Sequence, residues 1–139
     1  MSIYISGGQA ISVDNASIEH TMEQGLAAHR EGKLQEAEKL YRAILKSEPH
    51  HPDANYNLGR IAVSVNLAGM ALPFFRAALE ADPRRDRFWT TYIDILIKER
   101  HFEAAEQSIV RARAQGVAGG RLDILEERLK PNGNANNPE

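Results

Sequence analysis

The chain has no cysteine, so disulfides are excluded and no thiolate can hold a metal. It has no apolar run near the roughly 20 residues that a bilayer-spanning helix requires. Met1 to Gly8 carries neither a basic stretch nor a long apolar one, so no signal peptide is expected and the expected location is cytoplasmic. The formal net charge is only -2, which argues against a general affinity for nucleic acid or an anionic membrane. Catalytic signatures are also missing. No serine lies in a nucleophile-elbow glycine pattern, and no glycine-rich phosphate loop links a strand to a helix. The five histidines do not make a metal site. His20 and His29 miss the four-residue spacing of paired helical ligands, and His50-His51 sits in a turn without further fixed ligands. No enzyme activity, cofactor or metal is expected.

What is present is a period. Pro49 and Pro83 are separated by a 34-residue step, and so are Gly25 and Gly59. Ala37, Ala71 and Ala105 follow the same step, as do Tyr41, Phe75 and Ile109, and Leu45 and Leu79. A fixed step of this length marks a stacked array whose units bury their apolar faces only against one another. The step divides the chain into units 18–51, 52–85 and 86–117, each reading as a helix, a turn and a helix. In the second unit Asp53 to Asn66 and Gly69 to Ala81 read as the pair, with Asn66 and Gly69 in the turn and Asp82-Pro83 as the stop. Pro73 is expected inside the second helix but near its first turn, where a missing amide is tolerated. Gly25 and Gly59 are expected to face Ala37 and Ala71 at the close approach of each pair, with Tyr41 and Phe75 between neighbouring units. Ile93 takes the place of the glycine in the third unit, so that pair is expected to be spread wider or shifted.

These positions resemble the tetratricopeptide repeat (TPR). Leu58-Gly59, Ala71, Phe75, Ala78 and Pro83 match its pattern in the second unit. Trp89, Tyr92, Phe102, Ala105 and Ala112 match in the third, and Gly25, Gly32, Ala37, Tyr41 and Pro49 in the first. Thr21, Gln24 and Val117 depart from it. The resemblance implies an all-α fold: a right-handed TPR superhelix, an α-solenoid of three helix–turn–helix repeats plus a C-terminal capping helix over 121–130. Leu122, Leu125 and Leu129 give that helix its apolar stripe. The domain is expected to span 18–130. It is preceded by an arm, 1–17, either partly disordered or packed on the array, with Ser17 as the first helix's N-cap. A disordered tail is expected over 131–139.

The resemblance also implies a non-catalytic interaction scaffold that binds a partner on the concave face lined by the first helices. The residues that face inward by register are Met22, Leu26, His29 and Arg30, then Tyr56, Asn57, Arg60 and Ser64, then Arg87, Thr90, Thr91, Asp94 and Lys98. Tyr56 and Arg60 are expected to anchor a partner without holding the core. Apolar anchors mixed with basic groups and amides suit a protein or peptide of acidic character. Chaperone-binding TPR domains hold a C-terminal carboxylate with basic and asparagine residues. Only Asn57 and Arg87 match that set, while Met22, Leu26 and Thr91 replace the rest, so that function is not carried over. The Phe88 to Lys98 stretch and the cap resemble bacterial TPR proteins linked to sulfotransferase domains or to domains similar to O-linked N-acetylglucosamine transferase. The alternatives are therefore an acceptor-recognition region of a larger glycosyltransferase- or sulfotransferase-type enzyme, or a self-association module working through the N-terminal arm or the array ends.

Overall fold

The computed structural model describes residues 15–131. Among them are seven helices and no strand: α1 Asn15–Arg30, α2 Leu34–Ser47, α3 Pro52–Ser64, α4 Ala68–Ala81, α5 Asp86–Lys98, α6 Phe102–Ala114 and α7 Gly120–Leu129. Each helix packs chiefly on its neighbours in sequence, with α7 lying on both α5 and α6. The expected arm begins too late at its inner end. Residues 15–17 are already in α1, so Ser17 is inside the helix and its carbonyl accepts from the Thr21 hydroxyl. The rest of the arm and the tail from 132 lie outside the described residues.

The turn inside each pair is one repeated device. Gly32, Asn66 and Arg100 take left-handed φ values of 79°, 65° and 66°, and they follow one another at the 34-residue step. After each, an amide closes back onto the carbonyl five residues earlier: Lys33 to Ala28, Leu67 to Ala62 and His101 to Leu96, at 2.8 to 2.9 Å. This is the Schellman closure, which satisfies the last carbonyls of the first helix. Gly116, at φ 92°, repeats it after α6, where Val117 donates to Ala112.

The turn between pairs is repeated as well, with different chemistry. The Asn55 side-chain amide donates to the Pro49 carbonyl at 3.1 Å, and the Trp89 indole donates to the Pro83 carbonyl at 2.6 Å. Both donor and acceptor move by the same 34-residue step. In each case a buried side chain from the next first helix ties down the carbonyl of the preceding stop. His51, just ahead of α3, accepts the Ala54 amide on Nδ1, so it serves as a helix cap.

Packing corrects one expectation. Tyr41 and Phe75 do not lie only between units: a Cβ at Gly59 would stand 2.6 to 2.9 Å from three ring atoms of Phe75. Gly25 likewise meets the ring of Tyr41. Each glycine opens a slot for the aromatic ring of its own pair, and Ala37 and Ala71 are fully buried. In the third pair Ile93 and Ile109 fill the same two positions, both buried, and α5 and α6 do approach less closely than α3 and α4. Pro73 lies inside its helix as expected, a little past the first turn. It is the sixth residue of α4, where its amide would have bonded to Gly69, and the helix continues through it. The core falls into two clusters that meet across α3. Leu58 and Ile61 belong with α1 and α2, whereas Tyr56 belongs with α4 to α7.

Candidate functional site

The first helices carry two clefts along one face. One, of about 540 Å³, is lined by Met22 and Leu26 of α1, by Asp53, Tyr56, Asn57 and Arg60 of α3, and by Arg85 to Phe88 at the start of α5. The other, of about 620 Å³, lies between Thr90, Thr91 and Asp94 of α5 and Gly120, Arg121, Ile124, Leu125 and Arg128 of α7. A shallow depression containing Asp86, Arg87, Thr90, Ala118 and Arg121 lies at the α5 edge between them.

Of the residues expected to face a partner, Met22, Leu26, Tyr56, Asn57, Arg60 and Arg87 line the first cleft. Thr90, Thr91 and Asp94 line the second. His29, Arg30, Ser64 and Lys98 line neither. Tyr56 is more than a lining residue. It is only 7% exposed, its ring centroid lies 4.8 Å from that of Phe88 and 5.6 Å from that of Phe75, and its hydroxyl is bonded to Thr91 at 3.0 Å. The expectation that Tyr56 stands outside the core is therefore overturned. Asn57 is also committed within α3, donating to the Asp53 carbonyl and accepting from Arg60.

The cations divide into paired and free. Arg85 pairs with Asp53 and Asp82 and covers the Phe88 ring at 4.3 Å. Lys98 and Arg128 both hold Asp94, at 3.1 and 2.8 Å. Burial pushes the Asp94 carboxyl up, but hydrogen bonds from Arg128 and Lys98 outweigh it and hold the group below its usual value. Arg60 has no carboxylate partner among the described residues, and neither do Arg87 and Arg121. Among the described residues, Asp86 beside Arg87 is the one acid in the first cleft without a cation on it.

His29 faces inward against the Tyr41 hydroxyl at 3.3 Å. Burial, and then the charge of Arg60, lower its pKa. Burial pushes the Tyr41 phenol up to about 12, against the pull of Arg60 and Arg30, so Tyr41 stays protonated and can donate to the imidazole. Because folding lowers the His29 pKa, its contribution to stability is present above 6.5 and is lost as pH falls through the folded value.

The residues missed from sequence are those of α7. Arg121, Ile124 and Arg128 stand one 34-residue step after Arg87, Thr90 and Asp94, so α7 occupies the register of a fourth first helix. That step was the available signal.

The family model for the tetratricopeptide repeat matches residues 22–86, from the inward face of α1 to the first residue of α5. Residues 22–86 are tetratricopeptide repeats. The TPR fold extends over the third pair and α7. The first TPR domain of Spaghetti (RPAP3), solved with an HSP90 peptide, superposes with a TM-score of 0.72 over 86% of this chain and 94% of its own, at 15% identity. The Sgt2 TPR domain from Aspergillus fumigatus gives 0.71 over 91% and 84%, also at 15% identity. The Yersinia enterocolitica type III secretion chaperone SycD, in complex with a peptide of the translocator YopD, gives 0.67 over 84% and 88%, at 16% identity. At these identities the TPR likeness is one of fold. No curated protein matches the chain. Among the described residues no helix is long and apolar enough to cross a membrane, and no three potential metal ligands converge.

Proposed function

We propose that the chain is a non-catalytic scaffold whose first cleft binds an extended segment of a partner protein with acidic character. The observation that carries this reading is the pairing of Met22 and Leu26, an apolar wall, with Arg60 and Arg87, cations that have no carboxylate partner among the described residues, in one cleft. Apolar contact supplies affinity there, and the guanidinium groups select carboxylates and fix orientation. TPR domains of similar fold have been solved with the HSP90 peptide SRMEEVD and with a YopD peptide, which supports a groove of this kind. The two cleft cations are exposed, and the one bond that Arg60 makes is to Asn57 of its own helix, so reversing them should leave the array folded.

The test is fluorescence anisotropy with a fluorescein-labelled octapeptide in which two leucines are flanked by aspartates. Arg60→Glu with Arg87→Glu should weaken binding at least tenfold, with the loss shrinking at high salt because exposed charges are screened. Lys39→Glu on α2, well away from the cleft, should leave affinity unchanged. If the Lys39 variant abolishes binding while the double reversal does not, the partner uses the outer face and the assignment fails.

A further inference from the structure

Resting on that reading, we propose that α7 is a fourth wall of the binding groove. On this view the cleft between α5 and α7 is a second subsite, for an apolar side chain with a carboxylate beside it.

Helix α7 is two-sided in a way that a merely solvating cap is not. Leu122 and Leu125 are 1% and 4% exposed and hold the helix on the array. Ile124, between them in sequence, is 63% exposed and lines the cleft. It stands one 34-residue step after Thr90 and two after Tyr56, both cleft-lining positions. Among the described residues, Ile124 is the one large aliphatic side chain of α7 that stands exposed, and it stands in a cleft beside the unpaired cation Arg121.

The charges around Ile124 say what covers it. Arg128 is committed to Asp94, which Lys98 also holds, and this cluster closes one side of the cleft. Arg121, one turn before Ile124, has no carboxylate partner among the described residues, and it shares the depression at the α5 edge with Arg87, which also has none. An occupant that brings a carboxylate to Arg121 and an aliphatic or aromatic group to Ile124 satisfies both. A basic or purely polar segment satisfies neither. The floor is already settled, since the Thr91 hydroxyl is taken by Tyr56 and the Thr90 hydroxyl by the Arg87 carbonyl. The occupant is therefore the continuation of the peptide held in the first cleft, passing over Arg87 and Arg121 onto α7.

The same octapeptide tests this by amide chemical-shift mapping and anisotropy on the full chain. Shifts are expected at Arg121 and Ile124 as well as at Arg60. Ile124→Ser and Arg121→Glu should each weaken binding at least about fivefold while the melting temperature stays unchanged, since both side chains are exposed. Replacing the aspartates with lysine should abolish binding, and replacing the leucines with serine should remove the effect of Ile124→Ser. Shifts confined to α1, α3 and the start of α5, with both α7 variants binding normally, would overturn the second subsite and leave the first cleft standing. An absence of shifts anywhere would remove both.

Discussion

Gly59→Ala isolates the slot that joins the helices of the second pair. Alanine in the middle of α3 should help the helix by about 1 kcal/mol, because glycine is the poorer helix former. Against this, the new methyl would stand 2.6, 2.8 and 2.9 Å from Cε1, Cδ1 and Cζ of Phe75, and that ring is fully buried with Tyr56 on its flank. The ring has no free volume to enter, so the overpacking cost falls in the upper part of the usual range of about 1–3 kcal/mol. The net loss should be about 1–2 kcal/mol, or about 4–8 °C in melting temperature for a domain of this size. Gly25→Ala meets Tyr41 at 2.6, 3.0 and 3.3 Å and should lose less. Denaturant titration followed by circular dichroism gives both values. Phe75→Leu shortens the ring that the methyl would strike, so in that background Gly59→Ala should cost much less, a coupling that a double-mutant cycle reads directly. An unchanged or raised stability for Gly59→Ala, or an equal loss in both backgrounds, refutes the slot.

Tyr56→Ala should cost about 3–5 kcal/mol as a buried ring is lost, whereas Tyr56→Phe, which gives up only the bond to Thr91, should cost about 1 kcal/mol; chemical denaturation separates the two. On α7, Leu125→Ala should cost about 2–4 kcal/mol, but Ile124→Ala, one residue away, should stay within about 0.5 kcal/mol, and equal effects would place the helix in another rotation. Asp94 has a depressed pKa, so its pairing stabilises α7 above the unfolded value and is lost as pH falls through the folded one. Asp94→Asn should accordingly flatten the decline of melting temperature as pH falls below the ordinary carboxylate value of about 4.

The period was legible because prolines, glycines and alanines at a 34-residue step are backbone and close-packing requirements, and few residue types meet them. The partners of those residues were less legible. That Gly59 receives the Phe75 ring depends on the rotation of two helices about their axes, which spacing alone does not fix. Arg100 hid its left-handed turn because arginine has no preference for that conformation, and the Schellman closure imposes it. The joint made by Asn55 and Trp89 was hidden by a change of side chain, since an amide and an indole share only the ability to donate a hydrogen bond. In the candidate site, register placed Met22, Leu26, Tyr56, Asn57 and Arg60 on the first cleft but also named His29, Arg30 and Ser64, which line neither cleft, and it could not separate committed from free charges. Lys98 and Arg128 look alike in sequence to Arg60 and Arg121, and only their distance to Asp94 separates them.

The bond from Trp89 to the Pro83 carbonyl has an optical consequence. Trp89 is the only tryptophan in the chain, is 1% exposed, and sits at the joint between the second and third pairs with the Arg111 guanidinium 5.4 Å from its ring. Its emission therefore reports on one seam in the middle of the array, while the far-ultraviolet signal averages over all the helices. When the ends fray, the average falls and the indole stays in its dry, hydrogen-bonded setting. When the array comes apart at its centre, the colour of the emission changes. Two wavelengths on one unmodified sample thus distinguish unravelling from the tips from rupture at the waist.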